Sequence, residues 1–182
     1  KRANGIDHTP VVPFHDRKSI STERTFDKDT IDVSRLKGIL IAMTENLAYQ
    51  LRRGDKLTAC IAVKIRYSDF NTYSKQLRIP YTSADHVLIS KILELFRGLY
   101  NKRMLVRLVG IRFSHLVSRS YQINLFEDTK ETVNLYSAMD KVRNRFGDRS
   151  IFRASAMGAK TIGRMHNPFN GLPPVVLAHR KQ

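Results

Sequence analysis

The spacing of apolar and polar positions divides this chain into strands and helices. Between Arg17 and Phe26, Ile20, Thr22 and Phe26 alternate with Ser19, Ser21 and Glu23, which predicts a first strand. Asp32 precedes Val33, Leu36, Ile39, Leu40, Met43, Leu47 and Leu51, an apolar stripe at helical spacing with a cap before it and Gly54 after it. In LTACIAVKIRYSDF, Ile61, Val63, Ile65 and Tyr67 share one face of a strand, and Lys64, Arg66 and Ser68 share the other. A turn around SDFNT leads to YSKQLRIPY, the expected hairpin partner, with Pro80 ending it. A second amphipathic helix is expected over 82–103, striped by Ile89, Ile92, Leu93, Phe96 and Leu99. MLVRLVGIRFSHL then sets Val109, Ile111 and Phe113 against Leu108, Gly110 and Arg112 as a fourth strand.

The order β-α-β-β-α-β folds most simply as an α+β domain, a four-stranded antiparallel sheet with both helices on one face. A helical extension follows. Asp128 and Glu131 form a capping pair for a third helix lined by Leu135, Tyr136, Met139, Val142 and Phe146 and ended by Gly147. RSIFRASAM reads as a short strand or extended arm, and the Gly-, Pro- and base-rich tail beyond it as unstructured. The opening KRANGIDHTPVVPF reads as an extended connector, and its start without Met suggests a cut from something longer.

Composition narrows the possible partners. A chain of 182 residues that is 42% hydrophobic, with nine Phe and seven Tyr, has enough apolar surface for one good core. Lys and Arg outnumber Asp and Glu by 32 to 16, a net charge of +16, which points to a polyanion: DNA, RNA or an anionic membrane. No apolar run approaches the roughly eighteen residues of a membrane span, and no signal peptide opens the chain. The lone Cys60 excludes an internal disulfide and, inside ACIAVKI, suggests a buried thiol in a reducing, cytoplasmic compartment.

Two helices cover only one face of such a sheet. Alternation places Ser19, Ser21, Lys64, Arg66, Ser68, Ser74, Gln76, Arg78 and Arg112 on the other, and Lys75 and Arg107 complete the expected DNA-binding set. Short hydroxyls let a phosphate backbone approach, and the guanidinium and ammonium groups neutralise it, so binding should show little sequence preference. The bland alternative is a solvated face with ordinary charges. An RNA-recognition motif shares this element order, but its basic-Gly-aromatic signature is missing from both middle strands.

At this point the residues resemble a known family. KRANGID followed by RKSISTERTF is similar to the thumb end, linker and first strand of Y-family translesion DNA polymerases, in their bacterial DNA polymerase IV branch. VKIRYSDFNTYSKQLRIP and VRLVGIRFSHL resemble strands of their little finger. The resemblance runs from residue 1 to about 126 and more loosely through NLYSAMDKVRNRFGDRSIFRASAM. It implies thumb end and linker over 1–16, little finger over 17–121, clamp-binding motif and helical extension over 122–157, and a flexible basic tail over 158–182. It also implies a sheet laid in the major groove of primer-template DNA. Gln122, Ile123, Asn124, Leu125 and Phe126 resemble the pentapeptide with which bacterial replication proteins dock on the sliding clamp, Leu125 and Phe126 as apolar anchors and Gln122 as the polar head. In this branch the pentapeptide commonly stands at the extreme C-terminus, whereas 56 residues follow it here.

No catalytic or metal-binding set stands out. Asp27, Asp29 and Asp32 cluster in sequence but suit capping and loop solvation, Asp69 a turn and Asp85 a helix start. The six His show no metal-ligand spacing, and His115 beside a basic strand reads as a surface residue or a phosphate contact. By the resemblance, Mg2+ and its carboxylates belong to the palm of a parent polymerase, so no cofactor is expected in this chain and no activity of its own. Two other readings remain: a stand-alone basic RNA-binding domain, and a nuclease or nucleotidyltransferase that would need metal-dependent activity.

Overall fold

A computed structural model describes residues 2–6, 8, 10, 16–118, 130–148 and 150–159. Four strands, β1 (Ser19–Thr30), β2 (Lys56–Tyr67), β3 (Thr72–Thr82) and β4 (Val106–Ser118), form one antiparallel sheet in the order β1-β4-β2-β3. Helices α1 (Val33–Arg53) and α2 (Asp85–Leu99) pack together on one side of it. A third helix, α3 (Lys130–Phe146), and a 3-10 turn, Ala154–Ala159, lie outside that layer, the turn against α1. The expected architecture is the observed one.

Periodicity explains the core. Ile61, Val63, Ile65 and Tyr67 of β2 and Val109, Ile111 and Phe113 of β4 are buried against Leu36, Leu40, Met43, Leu47 and Leu51 of α1. From α2 come Leu88, Ile92, Leu95 and Phe96, so its core stripe is rotated from the expected one and Ile89 and Leu93 are half-buried. Asp32 caps α1 by accepting from the backbone N–H of Ser34 and Arg35 at 2.9 and 3.0 Å, a bond set that stabilises a helix by about 1 kcal/mol. Gly54 closes the same helix. Cys60 is buried and free.

Several details differ from the sequence reading, among them β3, which runs through Pro80 to Thr82. β1 runs on to Thr30 through the charged Asp27–Asp29 stretch, because a shift of register after Thr25 lets Thr30 pair with Val106. Helix α2 is confined to Asp85–Leu99 rather than 82–103. Residues Ala154–Ala159 form a 3-10 turn instead of a strand or arm, and Arg2–Asn4 another where an extended connector was expected. Finally, α3 docks by only part of its apolar stripe. Leu135 and Phe146 are 58% and 66% exposed, whereas Tyr136 and Arg143 are buried.

Polar groups hold α3 in place. The Arg52 guanidinium of α1 grips Asp140 of α3 through Nε and Nη2 at 2.6 and 2.9 Å, and its Nη1 donates to the Ser83 carbonyl and to Asp85. Burial works against the charge on Arg52, but the bonds to Asp140 and Asp85 outweigh it and raise its pKa. Arg143 donates to the Ile151 carbonyl at 3.2 Å, and Tyr49 donates to Asn144 at 2.6 Å. Ala84 leaves α2 without a side-chain cap, and the Tyr136 hydroxyl of α3 accepts the His86 backbone N–H instead.

Candidate nucleic-acid interface

The registers of the three strand pairs lay out the face away from the helices as four cross-sheet rows. Ser19, Ser114, Cys60 and Arg78 make one row, and Ser21, Arg112, Ala62 and Gln76 the next. Glu23, Gly110, Lys64 and Ser74 form the third, and Thr25, Leu108, Arg66 and Thr72 the last. No described element packs over these rows. Small residues occupy much of the two central strands, and the long cations rise around them. A flat, cationic surface of this size suits a phosphate backbone better than a compact small molecule.

Seven expected residues join the rows: Ser19, Ser21, Lys64, Arg66, Ser74, Arg78 and Arg112. Arg66 Nε donates to Thr72 Oγ1 at 2.8 Å and Arg112 Nη2 to Ser19 Oγ at 3.1 Å, so neighbouring hydroxyls aim both guanidinium groups and leave further N–H donors for a ligand. Gln76 also lies on this face, but Ser68 falls in the turn after β2.

Lys75 and Arg107 do not join them. Lys75 pairs with Val63, whose side chain is in the core, so strand alternation turns Lys75 to the helix side; its Nζ lies close to Gly98 of α2. Arg107 sits at a bulge, since β4 pairs Leu108 with Arg66 and Val106 with the next residue, Tyr67. Its guanidinium lies 3.6 Å from Asp29 and over the Phe70 ring. The motif Gln122, Ile123, Asn124, Leu125 and Phe126 lies outside the described residues, as do Asp128 and the tail from 160.

What alternation alone misses is the pairing between strands, which needs register. Glu23 and Lys64 stand two strands apart, with Gly110 between them on β4, and they form an ion pair across it. A Cβ at Gly110 would come within 2.8 Å of Glu23 Cγ, so the missing side chain makes room for that bridge. One of the four long cations on the face is thus internally neutralised. Thr25, Thr72 and Ser114 add hydroxyls that the periodicity contained but the partner strands had to place.

The acidic residues have structural roles. Asp32 caps α1, Asp69 accepts from the Asn71 backbone N–H and side-chain amide, and Asp85 is fully buried beside Arg52. Among the described residues no three His, Cys, Asp or Glu side chains stand together as a metal site. No described helix is long and apolar enough to cross a membrane.

Residues 17–125 match the family model of the impB/mucB/samB family C-terminal domain. DNA polymerase IV of Clostridium acetobutylicum is 34% identical over 157 residues, covering 84% of this chain and 39% of that protein. DNA polymerase IV of Dehalococcoides mccartyi is 30% identical over 151 residues, with coverages of 82% and 39%. The chain therefore spans about two fifths of the length of these curated relatives. A solved structure described as a complex of the β-clamp processivity factor and the little finger domain of polymerase IV is 21% identical, with a TM-score of 0.46, and covers 60% of this chain and 99% of that one. The chain belongs to the impB/mucB/samB family, residues 17–125 being its C-terminal domain, and most of its length is similar to the DNA polymerase IV proteins named above.

Proposed function

We propose that the open sheet face grips the phosphates of primer-template DNA for a translesion polymerase during damage bypass in the cytoplasm. The observation that carries this reading is the set of rows itself: Arg66, Arg78 and Arg112 exposed or half-exposed over a flat floor of Gly110, Ala62, Ser114 and Cys60. Nucleotidyl transfer and its Mg2+ belong, in this reading, to the palm of the parent enzyme, and the little finger alone is inactive. A second contact is proposed at Gln122–Phe126, through which the chain docks on a bacterial sliding clamp.

Duplex affinity measured against salt tests the sheet face. Arg66→Ala and Arg112→Ala should each weaken binding about equally on unrelated sequences and lower the salt slope by roughly 1. Glu23→Gln should act in the opposite direction, because it removes a negative charge and frees Lys64. Unchanged affinity in both arginine variants removes the sheet face from the site. Tighter binding to structured RNA than to primer-template DNA would favour the stand-alone RNA-binding domain.

A further inference from the structure

The turn between β2 and β3, residues 68–71, presents an aromatic ring that the phosphate-gripping face does not use. Phe70 is 65% exposed and holds a φ of +63°, a region in which a bulky residue is strained. The turn is nevertheless well fixed. Phe70 N–H donates to the Tyr67 carbonyl at 3.0 Å, Ser68 N–H to the Leu105 carbonyl at 2.9 Å, and Asp69 holds both the backbone and side-chain nitrogens of Asn71. Glycine or asparagine would fill this position at lower cost.

The surroundings indicate what the ring is for. The Arg107 guanidinium lies 4.8 Å from the centroid of the Phe70 ring, and its Nη1 is 3.6 Å from Asp29. Lys102 and Arg103 stand in the loop before β4, with Lys102 over the neighbouring Tyr73 ring. Arg66 and Thr72, the last open-face pair, immediately flank the turn. An exposed ring backed by a guanidinium and surrounded by net positive charge is complementary to a nucleobase with its phosphates. It suits an apolar protein surface poorly, because docking there would desolvate those cations.

We propose that Phe70, backed by Arg107, is a stacking platform for an unpaired nucleobase where the duplex held by the open face gives way to single strand. This rests on the DNA-binding reading and adds a single-strand contact to it. Stacking needs only the π-face of a base, so the platform should accept all four bases.

The chain has no Trp, so Phe70→Trp is a unique fluorescent reporter. Its emission should fall on binding a duplex with a single-stranded extension and change little with a blunt duplex. With the wild-type chain, 2-aminopurine in the extension should be quenched at the position next to the junction. Phe70→Gly should abolish that quenching and weaken binding to the extended substrate about tenfold. The same variant should hold blunt-duplex affinity within about twofold and melt no lower than wild type, because Gly suits the backbone there. Equal quenching by wild type and Phe70→Gly overturns the platform, as does an identical Trp response to blunt and extended DNA. Quenching on a single strand without any duplex binding would sink the open-face reading and leave the platform standing. Absence of both removes both.

Discussion

Glu45 shows how one residue's environment sets its contribution. It lies on α1, is almost fully buried, and has Arg153 as its nearby cation, 3.2 Å from Oε1 but without hydrogen-bond alignment. Burial pushes its carboxyl above the ordinary 4.5, and the charge of Asp85 pushes the same way. A carboxyl with a raised folded pKa stabilises the fold most below its unfolded value and loses that contribution as pH rises through the folded one. Glu45→Gln should therefore gain in melting temperature relative to wild type as pH is raised from about 4 to 7, where the ionised carboxylate bears a desolvation cost that the amide avoids. Parallel melting curves across that range would mean that Glu45 is solvated. Nothing in Thr44-Glu45-Asn46 signals this burial, since the apolar stripe leaves Glu45 to one side and the covering segment lies more than a hundred residues on. The Glu23–Lys64 bridge was hidden for the same reason: alternation places both residues on one face, but only register brings them to one row.

At the scale of an element, α3 is the instructive case. Its spacing announced a helix with an apolar side, and the helix forms where expected, yet that side is turned largely to solvent at Leu135 and Phe146. The hydrogen bonds and ion pairs of the contact run through Tyr136 of that stripe and through Asp140, Arg143 and Asn144, with partners from α1 and the start of α2. A buried arginine bound to two carboxylates is worth little over an apolar contact, but removing one partner leaves charge exposed to low dielectric. Asp140→Ala is expected to cost on the order of 2–3 kcal/mol, read by chemical denaturation, and Tyr136→Phe about 1 kcal/mol through the lost cap of α2. Wild-type stability in Asp140→Ala would show that α3 merely rests on the body. Helical periodicity identifies which residues share a face, but the choice of face belongs to Arg52 and Asp85, distant in sequence and unremarkable until they meet.

For the whole molecule, the α+β sheet and its helix layer were legible because nearly every strand and helix repeats its period cleanly against one shared core. Lys75 and Arg107, expected to bind DNA, do not join the open-face rows: Lys75 stands opposite core-facing Val63, and Arg107 falls on the side of Val109 beside a bulge. The pentapeptide Gln122–Phe126 falls in sequence between β4 and α3, both parts of the same folded body. Leu125→Ala with Phe126→Ala should abolish binding to a bacterial sliding clamp in a pull-down or titration, with duplex affinity and melting temperature unchanged. A large fall in melting temperature would place the two side chains in the core and end the docking reading.

The strand order β1-β4-β2-β3 also governs how the molecule comes into being on the ribosome. β1 is the first strand of the sheet to be made, and its partner among the described strands is β4, the last. Until β4 has emerged, the nascent chain can form a β2–β3 hairpin and helical segments but no closed sheet, and β1 keeps an unpaired, charge-bearing edge. The Lys, Glu, Arg and Asp residues of β1 discourage it from pairing with neighbouring chains during that wait. Closure is a late, long-range event, and every chain cut short of Ser114 is left with a first strand that has lost part or all of its pairing.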